Sequence, residues 1–223
     1  MNMDVAFHDL GRISYEAAWS LQRRLHDERV AGAIGDTLLF CEHSAVITMG
    51  KSGKANNLLV SRDELRRRGI DYFEVERGGD LTYHGPGQLV GYPIFKLARL
   101  REVQGFVRKM EQSIIEALQR FSISAERRAD HPGVFVRGAK IASIGAAVRA
   151  GVTFHGFALD VCTDLTAFQL INPCGMPTVP VTSIQKECAR SVGLTEIKPA
   201  LREAMESVFA IHCVDEGVPK KIA

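Results

Sequence analysis

Cys174 stands in Asn172-Pro173-Cys174-Gly175. Proline fixes the backbone on the amino side, and glycine permits an unusual dihedral on the carboxyl side. A thiol on so defined a loop turn suits a nucleophile, and it equally suits an inert loop cysteine. As a nucleophile it needs a cation nearby, because thiolate is the reactive form. Lys140, in Gly138-Ala139-Lys140-Ile141-Ala142-Ser143-Ile144-Gly145, is one source of charge; His84 and His155 are others. A lysine entering an apolar β-like run must find a partner, lose its proton, or snorkel to solvent at the strand edge.

A second stretch, Arg77 to Gln88 (RGGDLTYHGPGQ), is rich in glycine and carries Arg77, Asp80, Thr82 and His84. It has no G-x-x-x-x-G-K-[ST] ending and does not open a helix, which excludes both common phosphate-binding fingerprints. Thr82 and His84 lie two apart on a β-like segment and so share a face. Two readings remain from the residues alone: a turn between strands, or the polar wall of a groove. The other cysteines offer less. Cys41, Cys162 and Cys213 sit in apolar surroundings as packing residues, and Cys188 lies on a helix with no activator in view. No C-x-x-C pair is present, so neither a zinc knuckle nor any other metal site is expected.

The elements that must position these residues follow from periodicity and caps. Ser14 precedes a helix over 15–31, with Ala17, Leu21 and Leu25 as its apolar stripe. Ser61 and Glu64 form a capping box for a short helix that stops at Gly69. The longest helix is expected over 97–121. Ser183 caps a short helix, and a last helix is expected over 195–210. Strands are read at Val5–Phe7 and in DTLLFCEH, AVITM, IDYFEV, QLVGYPIF, ISAERR, GVFVR, AKIASIGAAVR and GVTFHGFALDV. Arg149-Ala150-Gly151 forms a hairpin turn between the last two. This order predicts an α+β fold with a mixed, largely antiparallel sheet.

The chain has 223 residues, is 46% hydrophobic and carries a net charge of +2. That supports one core, and a single domain over 1–223 is expected. The mild charge disfavours a nucleic-acid binder. No apolar run is long enough to span a bilayer, and the amino terminus lacks a signal-peptide layout, so a cytoplasmic chain with free thiols is expected.

The pieces RGGDLTYHGPGQLVGYPI, GAKIASIGAAVRAGVTFHGFALDV and INPCGMPTVPVTSI resemble, in order and spacing, the lipoyl(octanoyl) transferases, also called the lipoate–protein ligase B family. YEAAWSLQ and EHSAVITMGK are similar as well, so the likeness runs from about Tyr15 to Ile184. It implies the fold of the biotin/lipoate protein ligase catalytic domain, with a large mixed sheet, a smaller one and flanking helices. It implies transfer of an octanoyl group from octanoyl-acyl carrier protein to a lysine of a lipoyl domain. The acceptors are the E2 subunits of 2-oxoacid dehydrogenases and the glycine cleavage H protein. No cofactor, metal, nucleic acid or membrane takes part, and a monomer is expected. Cys174 matches the acyl-thioester nucleophile and Lys140 the residue that activates it. Arg77, Gly78, Gly79, Asp80, Leu81, Thr82, Tyr83 and His84 match one substrate wall; Ser143, Ile144 and Gly145, with Gly156, Phe157 and Ala158, match two others. His84 is expected to position the carbonyl or the pantetheine end. Asp80, Leu81 and Phe157 depart from the family pattern of glutamine, valine and leucine, which leaves open whether Asp80 pairs with Arg77 or alters the pocket. Arg66, Arg67, Arg68, Arg127, Arg128, Arg137 and Arg149 are candidates for a basic face that steers acidic protein partners.

Overall fold

Serine hydroxyls start the helices where the sequence places them. Ser14 accepts a hydrogen bond from the Ala17 N–H, Ser61 from Glu64 and Ser183 from Lys186. The computed structural model describes residues 3–129, 131–172 and 179–217. In chain order it comprises β1 (Met3–Ile13), α1 (Tyr15–Val30), β2 (Thr37–His43), β3 (Val46–Met49), α2 (Arg62–Arg67), β4 (Asp71–Glu74), β5 (Leu81–His84) and β6 (Gln88–Ile94). There follow α3 (Val103–Gln119), β7 (Glu126–Arg127), β8 (Gly133–Val136), β9 (Ala139–Arg149), β10 (Val152–Asp160), α4 (Ile184–Cys188), α5 (Leu194–Phe209) and β11 (Ile211–Asp215).

The fold is α+β. One sheet has the order β11-β1-β2-β6-β10-β9-β8-β7, and a smaller one the order β4-β3-β5. Pairing in the large sheet is antiparallel except where β1 lies parallel to both β11 and β2. Strand alternation gives this sheet two apolar faces. Leu38, Phe40, Leu89 and Phe157 face α3 and α5, whereas Leu39, Cys41, Val90 and Ala158 face α1.

Some boundaries differ from the sequence reading. The buried face of α1 carries Tyr15, Ala18, Leu21, Gln22 and Leu25, so Ala18 rather than Ala17 continues the stripe. The longest helix starts at Val103, not at 97, because the Leu97 N–H is bonded to the Gly151 carbonyl at 2.8 Å and a 3₁₀ turn at Leu100–Glu102 intervenes. The strand read in ISAERR contracts to Glu126–Arg127. β11 is an addition to the expected strands; its pattern of two buried residues in five is too weak to mark a strand in the sequence. The hairpin between β9 and β10 turns at Ala150 and Gly151, both with positive φ (50° and 76°).

Candidate active site

β9 and β10 supply two walls of a pocket in direct register. Ser143 pairs with Ala158, Ile144 with Phe157 and Gly145 with Gly156, so the two short segments singled out in the sequence are cross-strand neighbours. β5 supplies a third wall, with Leu81, Thr82 and His84, and Arg77 and Gly79 close it from the loop before β5. Lys140 lies on the same lining. The pocket encloses about 550 Å³, counting the open space at its mouth.

The remaining sequence candidates lie elsewhere. Gly78 and Asp80 line a second cleft, of about 1310 Å³ by the same measure, together with Ser52, Lys54, Asn57 and His131. Lys140, Ile144, Gly145 and Gly79 border both clefts. Tyr83 faces away from the pocket and packs edge-on against Phe168 in the core of the small sheet. Cys174, with the rest of 173–178, lies outside the described residues. The residues on either side are anchored. The Asn172 N–H donates to the Asn57 carbonyl at 2.7 Å, and the Pro180 carbonyl accepts from the Lys140 N–H at 2.8 Å.

Lys140 is buried, 6% exposed, and its ammonium sits 5.8 Å over the Phe135 ring. It is therefore not a lysine that snorkels from a strand edge. Arg77 is also buried and donates to the Thr48 carbonyl at 2.7 Å, to the Thr48 hydroxyl, and to the Gly78 carbonyl at 3.0 Å. Asp80 accepts from the Lys54 N–H (3.2 Å), the Leu81 N–H (2.8 Å) and the Asn57 amide. The two charges of this loop thus brace different segments and do not pair with each other. Gly79 has φ +86°, a region open mainly to glycine, and its carbonyl accepts from the Ser52 N–H.

The profile of the lipoyl protein ligase A/B catalytic domain matches residues 14–206. An octanoyltransferase of Dictyoglomus turgidum is 50% identical over 187 residues, which are 84% of this chain and 79% of that protein. The chain belongs to the octanoyltransferase family. It is an acyltransferase of the lipoyl protein ligase A/B group. The octanoyltransferase of Chloroflexus aurantiacus is 45% identical over 209 residues, 92% of this chain and 94% of the other. A solved bi-partite lipoate protein ligase of Thermoplasma acidophilum shares the fold at 17% identity, with a TM-score of 0.79 over 99% of this chain and 89% of that one.

The pocket also contains residues that the sequence reading did not assign to it. Tyr15, Val90, Tyr92 and His155 line it. His155 adopts φ +56° in the middle of β10, and its N–H turns to the Gln22 side chain at 2.8 Å. Such a backbone for a bulky residue is strained and is characteristic of functional sites. Behind the wall, Tyr15 stacks on the His84 ring with centroids 5.9 Å apart, and His43 meets His84 edge-on at the same distance. His43 accepts from or donates to the Tyr92 hydroxyl at 2.7 Å through Nε2, while its Nδ1 donates to the Ile13 carbonyl at 2.9 Å. A carbonyl only accepts, so Nδ1 carries the proton and the neutral ring takes the Tyr92 O–H at Nε2.

Burial sets the electrostatics. Desolvation pulls His84 down to about 3, reinforced by His43 and Arg77, and pulls His43 down to about 4. Both are neutral at physiological pH. Desolvation pushes Asp160 up to about 7, against hydrogen bonds from Gln88 and Thr163 and the charge of Lys140. Burial also raises the thiols of Cys41, Cys162 and Cys213, which makes them poor thiolates. Cys162 is only half-buried, less enclosed than its apolar run suggests. Sequence signals for the missed residues existed: Gln88 follows His84 by four across a glycine turn, and Asp160 ends an apolar strand.

Among the described residues, no group of three His, Cys, Asp or Glu side chains could hold a metal, and no helix is long and apolar enough to cross a membrane. The arginines proposed for a basic face are mostly engaged. Arg66 pairs with Asp63 at 2.5 Å, Arg67 and Arg68 with Glu64 at 2.5 and 2.6 Å, Arg149 with Asp27 at 2.6 Å, Arg127 with Glu111 at 3.7 Å, and Arg137 with Glu187. Arg128 lies over the Phe135 ring at 5.2 Å. These pairings offset part of the charge, although Arg66, Arg67 and Arg68 share two carboxylates and Arg127 shares Glu111 with Arg108.

Proposed function

We propose that the chain transfers an octanoyl group from octanoyl-acyl carrier protein to a lysine of a lipoyl domain, through a thioester on Cys174. The observation that carries this reading is the position of Lys140. It is buried on the border of two clefts, and its own N–H holds the Pro180 carbonyl, two residues beyond the 173–178 segment. The segment's other flank is bonded to Asn57, which also holds Asp80 of the pocket loop. Both flanks of the Cys174 segment are thus tied to residues that border the two clefts.

In the first step the Cys174 thiolate attacks the thioester carbonyl. A new C–S bond forms, the carrier's C–S bond breaks, and the leaving thiolate takes a proton from the Lys140 ammonium. In the second step the neutral lysine amine of the lipoyl domain attacks the acyl-enzyme. The amide C–N bond forms, the Cys174 C–S bond breaks, and Lys140 receives the amine proton. A thioester exchanges with a thiol at nearly even energy, so the first step keeps the acyl group reactive and needs no ATP. Donors for the oxyanion are expected among backbone N–H groups near Gly145 and Cys174.

Incubation with octanoyl-acyl carrier protein without ATP, followed by intact mass measurement, tests the reading. An octanoyl adduct is expected on the wild type and not on Cys174→Ala. An adduct or product that requires ATP and free octanoate would replace this reading with that of a ligase. Unchanged lipoyl-domain octanoylation in both Lys140→Ala and Cys174→Ser would remove the catalytic pair.

A further inference from the structure

Three buried side chains run from beneath the pocket wall to its surface in one hydrogen-bonded line. Asp160 Oδ1 lies 2.9 Å from Gln88 Nε2, and Gln88 Oε1 lies 2.8 Å from His84 Nδ1. The Gln88 Nε2 also lies 3.1 Å from the Tyr83 carbonyl. A backbone carbonyl can only accept, so the Gln88 atom facing it and Asp160 is the NH₂ group. The other amide atom is therefore the oxygen, which also can only accept. It follows that His84 carries its proton on Nδ1 and leaves Nε2 as a bare lone pair. No described group bonds that Nε2, and the ring lines the acyl pocket.

The surroundings keep the ring neutral. Burial is the main cause, and His43 on β2, Arg77 on the loop and His155 on β10 add to it against the Gln88 hydrogen bond; Tyr15 on α1 stacks on the ring without supplying a charge. A hydrogen-bond acceptor is an odd fitting for an octanoyl thioester, whose carbonyl and sulfur also only accept. A bare Nε2 beside the carbonyl would repel it, which favours the pantetheine end over the carbonyl as the group His84 meets. Only a donor can satisfy it, and the reacting atoms of the thioester offer none.

We propose that Gln88 and Asp160 are positioning residues that lock His84 in the Nδ1–H tautomer, so that Nε2 forms a subsite for a substrate N–H. Two sources present that group: the amide of the carrier's pantetheine arm during acylation, and the attacking lysine amine during transfer. The inference rests on the octanoyl-transfer reading for its substrates. The tautomer itself does not.

The test therefore has two independent parts. The first is ¹⁵N NMR of histidine-labelled protein at neutral pH without substrate, with His84→Phe assigning the signal. A neutral Nδ1–H ring for His84 is expected, and a shift toward the cation is expected in Gln88→Glu, where a carboxylate replaces the amide. An Nε2–H tautomer or a cation in the wild type overturns the proposal. The second part measures adduct formation and transfer to a lipoyl domain separately in wild type, His84→Phe and Gln88→Glu, each checked for an unchanged melting temperature. Gln88→Met and Asp160→Asn replace any variant that does not fold. A tenfold or larger loss in adduct formation assigns the N–H to the carrier arm, and one in transfer assigns it to the amine. Losses under twofold in both steps overturn the subsite. Absence of any adduct on the wild type would sink the octanoyl-transfer reading and leave the tautomer result standing.

Discussion

Arg77 donates to both the carbonyl and the hydroxyl of Thr48, and so bolts the glycine-rich loop to the central strand of the small sheet. The guanidinium is buried, and its planar fork meets two oxygens that an ammonium cannot span. Arg77→Lys is expected to lose about 2 kcal/mol of stability, as for removal of hydrogen bonds to a buried charged group. Urea denaturation monitored by circular dichroism checks this, and an unchanged midpoint would mean the contact is dispensable.

Gly145 tests the closeness of the pocket walls. A Cβ there would lie 3.1 Å from both the Arg77 side chain and the Gly78 carbonyl. The arginine can shift, but the backbone carbonyl gives less. If the acyl chain lies in this pocket as proposed, Gly145→Ala is expected to narrow it and slow adduct formation about tenfold, corresponding to ~1.4 kcal/mol. A rate within twofold of wild type would show that the acyl chain does not use this wall.

The buried histidines make the fold acid-sensitive. His43 and His84 have folded values near 4 and 3, below the ordinary 6.5. The unfolded chain therefore binds more protons between these values, and stability rises with pH in that window. Their contribution is fully present above pH 6.5 and is lost as pH falls toward 4 and 3. The loss between pH 6.5 and 4 is expected to be about 5 kcal/mol for the two together. Melting temperatures across that range in wild type and His43→Gln read it directly; parallel curves would refute it.

Asp160 acts with the opposite sign. Its folded value of about 7 exceeds the ordinary 3.8, so the native state binds the extra proton. Stability from this group is present below pH 3.8 and is lost as pH rises through about 7. Asp160→Asn is expected to be more stable than wild type at pH 8, by about 4 kcal/mol, with the gain vanishing near pH 4. A constant difference across pH would show that the carboxyl is ionised in the fold.

The α2 arginines are held by Asp63 and Glu64 on their own helix. Replacing Arg66, Arg67 and Arg68 together by alanine is expected to change KM for the acyl carrier donor less than twofold. A larger rise that fades with salt would restore them as a steering face.

Much of the site was legible in the sequence because its residues come in short segments of distinctive chemistry. The segments at Ser143–Gly145 and Gly156–Ala158 are strand pieces joined by a recognisable turn, so their pairing is nearly forced once the hairpin forms. Thr82 and His84 share a face by strand alternation and do line the pocket; Leu81 and Tyr83, of opposite parity, both pack in the core of the small sheet, and of the two only Leu81 also borders the pocket. Asp80 could not be resolved in sequence because its partners, Lys54 and Asn57, are more than twenty residues away and donate partly through backbone.

The sequence by itself determined the caps, most of the elements, the candidate catalytic pair and the family, since these rest on local spacing and on short motifs. Tertiary structure alone decided which charges meet and which protons are held. Burial is a property of the assembled core: it turned Lys140 inward, kept His43 and His84 neutral and raised Asp160. The tautomer of His84 depends on a chain of partners drawn from β5, β6 and β10. Their hydrogen bonds exist only when the two sheets come together, and no spacing along the chain encodes the direction in which each proton points.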